Sequence, residues 1–378
     1  MRSVRPGGDV LTVMVGLAAA GVASALGGWL YLRRPAPAAR PTRSADARPT
    51  RSSEASRPAT PPPAGDAGPI LQAGLHALAL VPRSGGARET AATDENALRQ
   101  AVTQSLEAQD WSARHLPRRP QLLPQLIQTV NDSDASARAM AVIIGQDPVL
   151  TGNLLRIANS PLYRLQAKPV DSLQRAVTLV GTDGIRQIIS AVLVQPVMQL
   201  HCEAFPQFGT VIWEHALLAS RAAADHARRV TQEDGFAAQW MGLTQGLGAA
   251  LVMRHLLDAA ARRADPPPSQ ELASQLLDTW TLPVAGRIAA AWELPPAVHT
   301  ALLREGGDPD GGLAGSLRFA RAAAAASLLC RHGRIGQAQA LALLEQQADT
   351  PPHALQWIWR RLHGGGVETL DDDVAGET

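Results

Sequence analysis

The stretch 173–193, LQRAVTLVGTDGIRQIISAVL, decides the fold. Its second half sets Ile185, Ile188, Ile189, Val192 and Leu193 at i, i+3, i+4, i+7 and i+8, the apolar stripe of a helix that faces a core. Leu173, Ala176, Val177 and Val180 repeat that spacing in the first half. Between them, Gly181-Thr182-Asp183-Gly184 reads as a break, with glycine for the turn and Thr182 as the N-cap of a second helix. Further along, Trp213, Ala216, Leu217 and Ser220 open another helix predicted to run to about Val230. Leu317 to Leu329 and Ala338 to Leu344 are Ala-rich helices, and Trp357 and Trp359 sit in a last helix that packs back on the rest. Trp280-Thr281-Leu282-Pro283 and Trp292-Glu293-Leu294-Pro295 each read as a helix ending in Trp, followed by a Leu-Pro restart. No stretch sustains two-residue alternation between turn signals. The expectation is an all-α helical bundle.

Composition agrees. The chain has 378 residues, 46% of them hydrophobic but only 4% aromatic, so the core is built from Ala, Leu, Val and Ile. That mix suits closely packed helices better than an aromatic-rich sandwich. The net charge of +1 gives no global case for nucleic acid, and Arg228-Arg229 and Arg262-Arg263 are isolated pairs without a basic recognition helix. Cys202 and Cys330, each in an apolar stretch read as helical, make no disulfide framework and fit a reducing cytoplasm.

The N-terminal part is of another kind. Residues 10–32 form a nearly unbroken apolar run, long enough for one transmembrane helix, with Trp29 and Tyr31 at the headgroup level of its far end. A cleaved signal peptide is the rival reading, since Ala23-Ser24-Ala25 offers a cleavage site. Arg33, Arg34, Arg40 and Arg43 outweigh Arg2 and Arg5, which puts the large C-terminal part in the cytoplasm and the chain in the inner membrane as a single-pass protein. Residues 33–69, rich in Pro, Ala and Arg, cannot bury enough apolar surface to order and read as a disordered linker. Ile70 to Val81 and Ala97 to Trp111 are short amphipathic stretches separated by the Gly-rich break Ser84 to Ala87. The expected order is a tail (1–9), the membrane helix (10–32), the linker (33–69), a helical lead-in (70–115), the main domain (116–313), C-terminal helices (314–367) and an acidic tail (368–378).

Short motifs punctuate the main domain. Asp147-Pro148 reads as a helix stop and restart: Pro148 suits a first turn, where no amide hydrogen is needed, and Asp147 caps free amides. Leu150, Leu154 and Ala158 recur on one face of the helix that follows. Asn159-Ser160-Pro161 ends it, because Asn tolerates a left-handed turn and the proline disfavours a helical Ser160. Asp147, Asn159 and Ser160 are therefore read as capping and turn residues, with a ligand pocket as the alternative.

Taken in order, these motifs resemble the HDOD family of bacterial signalling domains. Leu116-Pro117-Arg118-Arg119-Pro120 resembles the family's proline-marked start, and 143–150, IIGQDPVL, its I-x-x-D-P-x-L junction. The segment 155–163, LRIANSPLY, is similar to L-R-x-A-N-S, and 170–181, VDSLQRAVTLVG, ending on Gly181, to I-x-S-L-x-x-A-I-x-x-L-G. The two Trp-x-Leu-Pro segments also resemble the family. The match runs from Leu116 to about Leu313, half of the chain, and implies an all-α bundle of the HD-related type with a role in signal transduction.

The resemblance carries a further implication. HDOD domains resemble HD phosphohydrolases, whose metals are held by a His, a His-Asp doublet and a further Asp, a donor set that lowers the pKa of bound water. His215 matches the leading histidine. The doublet is due in 242–248, GLTQGLG, where Gln245 takes the place of the histidine and Gly246 that of the aspartate. Near Leu302-Leu303-Arg304-Glu305, where the family often carries paired histidines, there are none. No other histidines rebuild a site: His215 and His226 are roughly 16 Å apart along a helix, and His255 with Asp258 is a bare i, i+3 pair. The expectation is a membrane-anchored protein with no catalytic residue, cofactor or metal, acting through a protein partner and not on nucleic acid, with a small ligand in the vacated pocket left open. The alternative is a metal-dependent phosphohydrolase with a rearranged site around His215, His255 and Asp258.

Overall fold

The computed structural model describes residues 67–83, 94–107, 117, 142, 144–145, 148–159, 169–198, 200–263, 266–304, 312–346 and 350–363. The expected membrane helix 10–32, all but the end of the expected linker, Asp147, Ser160 and the acidic tail lie outside the described residues. Those described fall in one compact unit, Ala64–Thr378.

Every regular element among the described residues is helical, as the all-α expectation required. In chain order they are α1 (Ala67–Ala79), α2 (Glu95–Glu107), α3 (Pro148–Ala158), α4 (Leu173–Met198) and α5 (Phe208–His226). A π-helical turn, Ala227–Thr231, closes α5. Then come α6 (Gly235–Arg263), α7 (Gln270–Ala291), α8 (Pro296–Arg304), α9 (Gly312–Arg331), α10 (Gln337–Glu345) and α11 (Pro352–His363).

The centre is α6, whose residues from Gly235 to Met253 are all buried. A helix that is apolar and small all round has no solvent face, so neighbours must cover every side. α5 and α7 pack most extensively against it, with α2, α4, α8 and α9 completing the cover. α5 and α6 form an antiparallel hairpin. The chain reverses where Gln232 takes a left-handed conformation (φ 55°) and the Asp234 carboxylate accepts from the Phe236 amide at 2.8 Å. The small residues of α6 let the backbones meet: a Cβ at Gly242 would fall 2.4 Å from Ser220 Cα, and one at Gly248 would fall 2.3 Å from the Thr281 carbonyl oxygen of α7.

α9 is long and apolar enough to cross a membrane, yet 72% of its apolar window is buried against the other helices. It is a core helix here, packed on α5 and α1. α11 folds back on α5 and α9, burying Leu355, Ile358, Trp359 and Leu362. Each such side chain contributes about 1.5–3 kcal/mol of apolar burial.

Three sequence expectations fail. α4 continues straight through Gly181–Gly184, where a break was expected. Buried side chains lie on both sides of the segment, Ala176 before it and Gln187, Ile188 and Val192 after it. Packing of α4 on α3 and α6 outweighs a propensity cost of roughly 1 kcal/mol per glycine. α7 likewise runs through Pro283 where a restart was expected. The helix loses one amide donor there, roughly 3 kcal/mol in a bare helix, and is held by its close contact with α6 at Gly248. The second Trp-x-Leu-Pro behaves as read: Trp292 ends α7, Glu293 turns with φ 52°, and α8 starts at Pro296. Cys202 lies in the loop between α4 and α5, not in a helix, and both cysteines are free.

Candidate functional site

The hairpin of α5 and α6 brings together the three residues aligned with the metal-binding corner of the HD enzymes. His215 and Gln245 are buried, and Gly246 lies against Ala216. The imidazole is satisfied on both sides. His215 Nε2 donates to the Arg321 carbonyl of α9 at 3.1 Å, and its Nδ1 accepts from the Gln245 amide at 3.2 Å. That pattern fixes the neutral Nε2–H tautomer. Burial pushes the His215 pKa down to about 3, with the Arg321 guanidinium and His76 adding to the shift and the Arg321 carbonyl opposing it.

Gly246 has no space for a side chain. A Cβ there would fall 2.5 Å from Ala216 Cβ and 3.0 Å from Met198 Cε. Ordinary carbon contacts are about 3.5–4.0 Å, so the position that carries a carboxylate in HD enzymes is filled by α5 and the end of α4. At the corner, the residues do not suit a divalent cation: the His215 ring nitrogens are both engaged, Gln245 offers a neutral amide, and Gly246 offers nothing. Among the described residues, no three of His, Cys, Asp and Glu are grouped so as to hold a metal ion.

His76 joins this corner without any signal in the sequence reading. It lies on α1, which docks on α9, α5 and α7. Its Nε2 accepts from Gln72 and its Nδ1 meets Ser274 Oγ, both at 2.9 Å, with the Asp278 carboxylate 3.6 Å away. Burial, and secondarily Arg321, lower its pKa to about 4, so at neutral pH it faces Asp278 uncharged. For Asp278, burial is the leading cause of a raised pKa. Only its place on a mainly apolar helix could have hinted that His76 turns inward.

The other singled-out residues go elsewhere. His226 bonds Ser316 Oγ and Thr350 Oγ1, each at 3.0 Å, and stacks on Phe319; burial lowers its pKa to about 4. His255 Nδ1 meets Ser105 Oγ of α2 at 2.9 Å, while Asp258 is exposed. Pro148 is the first residue of α3, as its missing amide suggested. Asn159 ends α3 and does more than cap it. Its amide donates to the Leu155 and Val170 carbonyls at 2.8 and 2.7 Å, and its Oδ1 accepts from the Val170 amide at 2.7 Å. It therefore clamps the segment that leads into α4. Gly181 lies inside α4. Trp292 is a core plug whose Nε1 donates to the Pro117 carbonyl at 2.9 Å.

Comparisons with known proteins place the fold. The model of the HDOD domain family matches residues 116–305. No curated protein matches the chain. Among solved structures, a provisionally named phosphohydrolase from Shewanella amazonensis SB2B is 20% identical, with a TM-score of 0.50 over 70% of this chain and 95% of its own. An HDOD domain protein of unknown function from Geobacter sulfurreducens is 19% identical, with a TM-score of 0.47 over 71% and 89%. A provisionally named signal transduction protein from Marinobacter aquaeolei VT8 is 17% identical, with a TM-score of 0.45 over 73% and 68%.

Proposed function

The chain belongs to the HDOD domain family, and on that premise we propose that it is a non-catalytic signal-transduction scaffold that works by binding a protein partner. One observation carries the reading. The corner where HD relatives hold metal is closed by hydrogen bonding and packing: Gln245 donates to His215, and Ala216 occupies the space an aspartate at 246 would need. A hydrolytic centre of that type requires a charged donor set open to water and substrate, and this corner is buried and neutral. The runner-up, a rearranged site around His215, His255 and Asp258, is disfavoured because His215 and His255 serve separate hydrogen-bond pairs and Asp258 faces outward.

The anchoring of this scaffold in the inner membrane by residues 10–32, with the helical unit in the cytoplasm, is part of the same proposal. It rests on the apolar run and on the arginines that follow it. The test is metal analysis of the purified full chain, with phosphodiesterase assays on nucleotide substrates in manganese, iron or zinc. The proposal expects substoichiometric metal and no turnover above a protein-free blank. Stoichiometric metal, or metal-dependent turnover abolished by His215→Ala, would overturn it. Crosslinking in native membranes then reads the partner directly.

A further inference from the structure

α1 is joined to the bundle differently from the core helices. Its buried face carries a stripe of Ala67, Leu71, Leu75 and Leu78, and it lies in a groove made by α9, α5 and α7. α5 and α9 pack on each other and all three on α6, so the walls of the groove are held together without α1. Contact is close at Gly74, where a Cβ would fall 2.8 Å from Leu329 Cδ1 of α9. A polar latch is made by His76, which meets Ser274 Oγ at 2.9 Å and lies 3.6 Å from the Asp278 carboxylate. Those partners sit at the rim: Ser274 is half-buried, and the Asp278 side chain is 55% exposed.

Release of α1 hands Ser274 and Asp278 to water and carries His76 and Gln72 out with it, so none of the four is stranded in a dry interior. A helix of 13 residues is marginal on its own, so α1 is helical because the groove holds it. Burying Leu71, Leu75, Leu78 and Leu80 gains a free energy of the same order as ordering the segment costs, which keeps docking near balance. α1 also lies outside the residues 116–305 matched by the family. We propose that α1 is a displaceable strap on the α5–α7–α9 groove, and that the scaffold's protein partner docks there through an amphipathic helix. α1 itself defines the fit: apolar residues at the places of Leu71, Leu75 and Leu78, a small residue at that of Gly74 and a hydrogen-bond donor at that of His76. A partner helix that is already folded loses less conformational entropy on docking than α1 does, and so displaces it. The existence of a partner rests on the scaffold reading; the strap does not.

Hydrogen exchange of the full chain in lipid nanodiscs tests it. By local opening, α1 amides should exchange about a hundredfold faster than the buried amides of α6. Leu71→Asp with Leu75→Asp should remove the remaining protection of α1 and loosen α9 around Leu329, while α6 stays unchanged. A peptide of residues 67–83, in excess, should restore the protection of α9 in that variant about tenfold, by replacing the strap in trans. It should leave the native chain, whose groove is filled, as it was. The same peptide carrying Gly74→Leu should restore nothing. Protection is read on α9, so peptide held by the lipid alone gives no signal. Joint exchange of α1 and α6, loss of α6 protection in the variant, no rescue by the native-sequence peptide, or equal rescue by the Gly74→Leu peptide overturns the proposal. None of these outcomes reads metal or turnover, so a failure here is distinct from a failure of the scaffold reading.

Discussion

Putting an aspartate back at position 246 tests whether the corner is closed by packing or merely lacks its ligands. Gly246→Ala comes first. Its Cβ would lie 2.5 Å from Ala216 Cβ, about 1 Å inside normal contact, and neither atom can rotate away. Overpacking of that kind costs about 1–3 kcal/mol, while the better helix former returns up to about 1 kcal/mol. The net expectation is a loss of about 1 kcal/mol. Gly246→Asp keeps the clash, gains less propensity and adds a carboxylate between Ala216 and Met198 without a partner. An unpaired buried polar or charged group adds several kcal/mol, so the loss should reach about 4 kcal/mol or more. Protonation relieves the charge, so the folded-state pKa of the new aspartate lies above its unfolded value and the penalty grows as pH rises through the carboxylate range. Urea unfolding of the full chain at pH 5 and pH 8, followed by circular dichroism, reads all three quantities. A Gly246→Asp variant within 1 kcal/mol of the native chain at pH 8 would refute the packing argument. So would a Gln245→His/Gly246→Asp double variant that takes up one equivalent of manganese.

Other outcomes follow from the same contacts. Burial lowers the pKa values of His76, His215 and His226 to about 4, 3 and 4, below the ordinary imidazole value of 6.5. Below pH 6.5 the unfolded chain therefore takes up protons that the folded chain refuses, and stability falls with pH by up to about 1.4 kcal/mol per unit for each histidine, flattening below about pH 4. Urea midpoints between pH 7 and 4.5 check the slope, and a flat profile contradicts the burial of these rings. Arg361→Gln leaves the buried Asp225 without its cation; because Arg361 is itself 39% exposed, the loss should be about 1–2 kcal/mol, less than for a fully buried pair, with faster amide exchange in α11. Asn159→Ala strips three hydrogen bonds from the Leu155 and Val170 backbone and should cost about 2 kcal/mol by thermal denaturation, against almost nothing if the side chain is only a surface turn residue. Gly152→Ala on α3, where an added Cβ meets nothing within 4 Å, should stabilise by roughly 0.5–1 kcal/mol.

Helical periodicity made the fold class legible because helices such as α2 and α11 bury a stripe, whereas α6 is buried all round. The ends of helices were less legible, because their residues argue locally while tertiary packing decides. Gly181-Thr182-Asp183-Gly184 has every mark of a turn, yet α4 runs through it, packed on α3 and α6. Pro283 shows the same conflict, resolved by a contact with Gly248 that lies 35 residues away in sequence. At the site, the alignment with a known motif singled out His215, Gln245 and Gly246, and the structure brings the three together. His76 stayed hidden because its partners, Ser274 and Asp278, are about 200 residues distant, and no local pattern encodes such a pairing.

The two substitutions at 245 and 246 are better understood as one packing solution than as two separate losses. A glycine at 246 lets α6 approach α5 until Ala216 fills the gap, and Gly242 opposite Ser220 continues the same close seam one turn away. Once the helices are that near, nothing charged can stand between them, and His215 needs a neutral donor on its Nδ1 side. A glutamine at 245 provides it from the same helix turn. Restoring only one of the two residues should therefore be worse than leaving both: a histidine at 245 would set a second buried imidazole against His215 with no metal to bridge them. The coupling energy of a Gln245→His and Gly246→Asp double-mutant cycle measures this directly. If the corner were a weakened metal site, manganese should make the double variant much more stable than the sum of the singles. If it is a closed core seam, the cycle should show little rescue with or without metal.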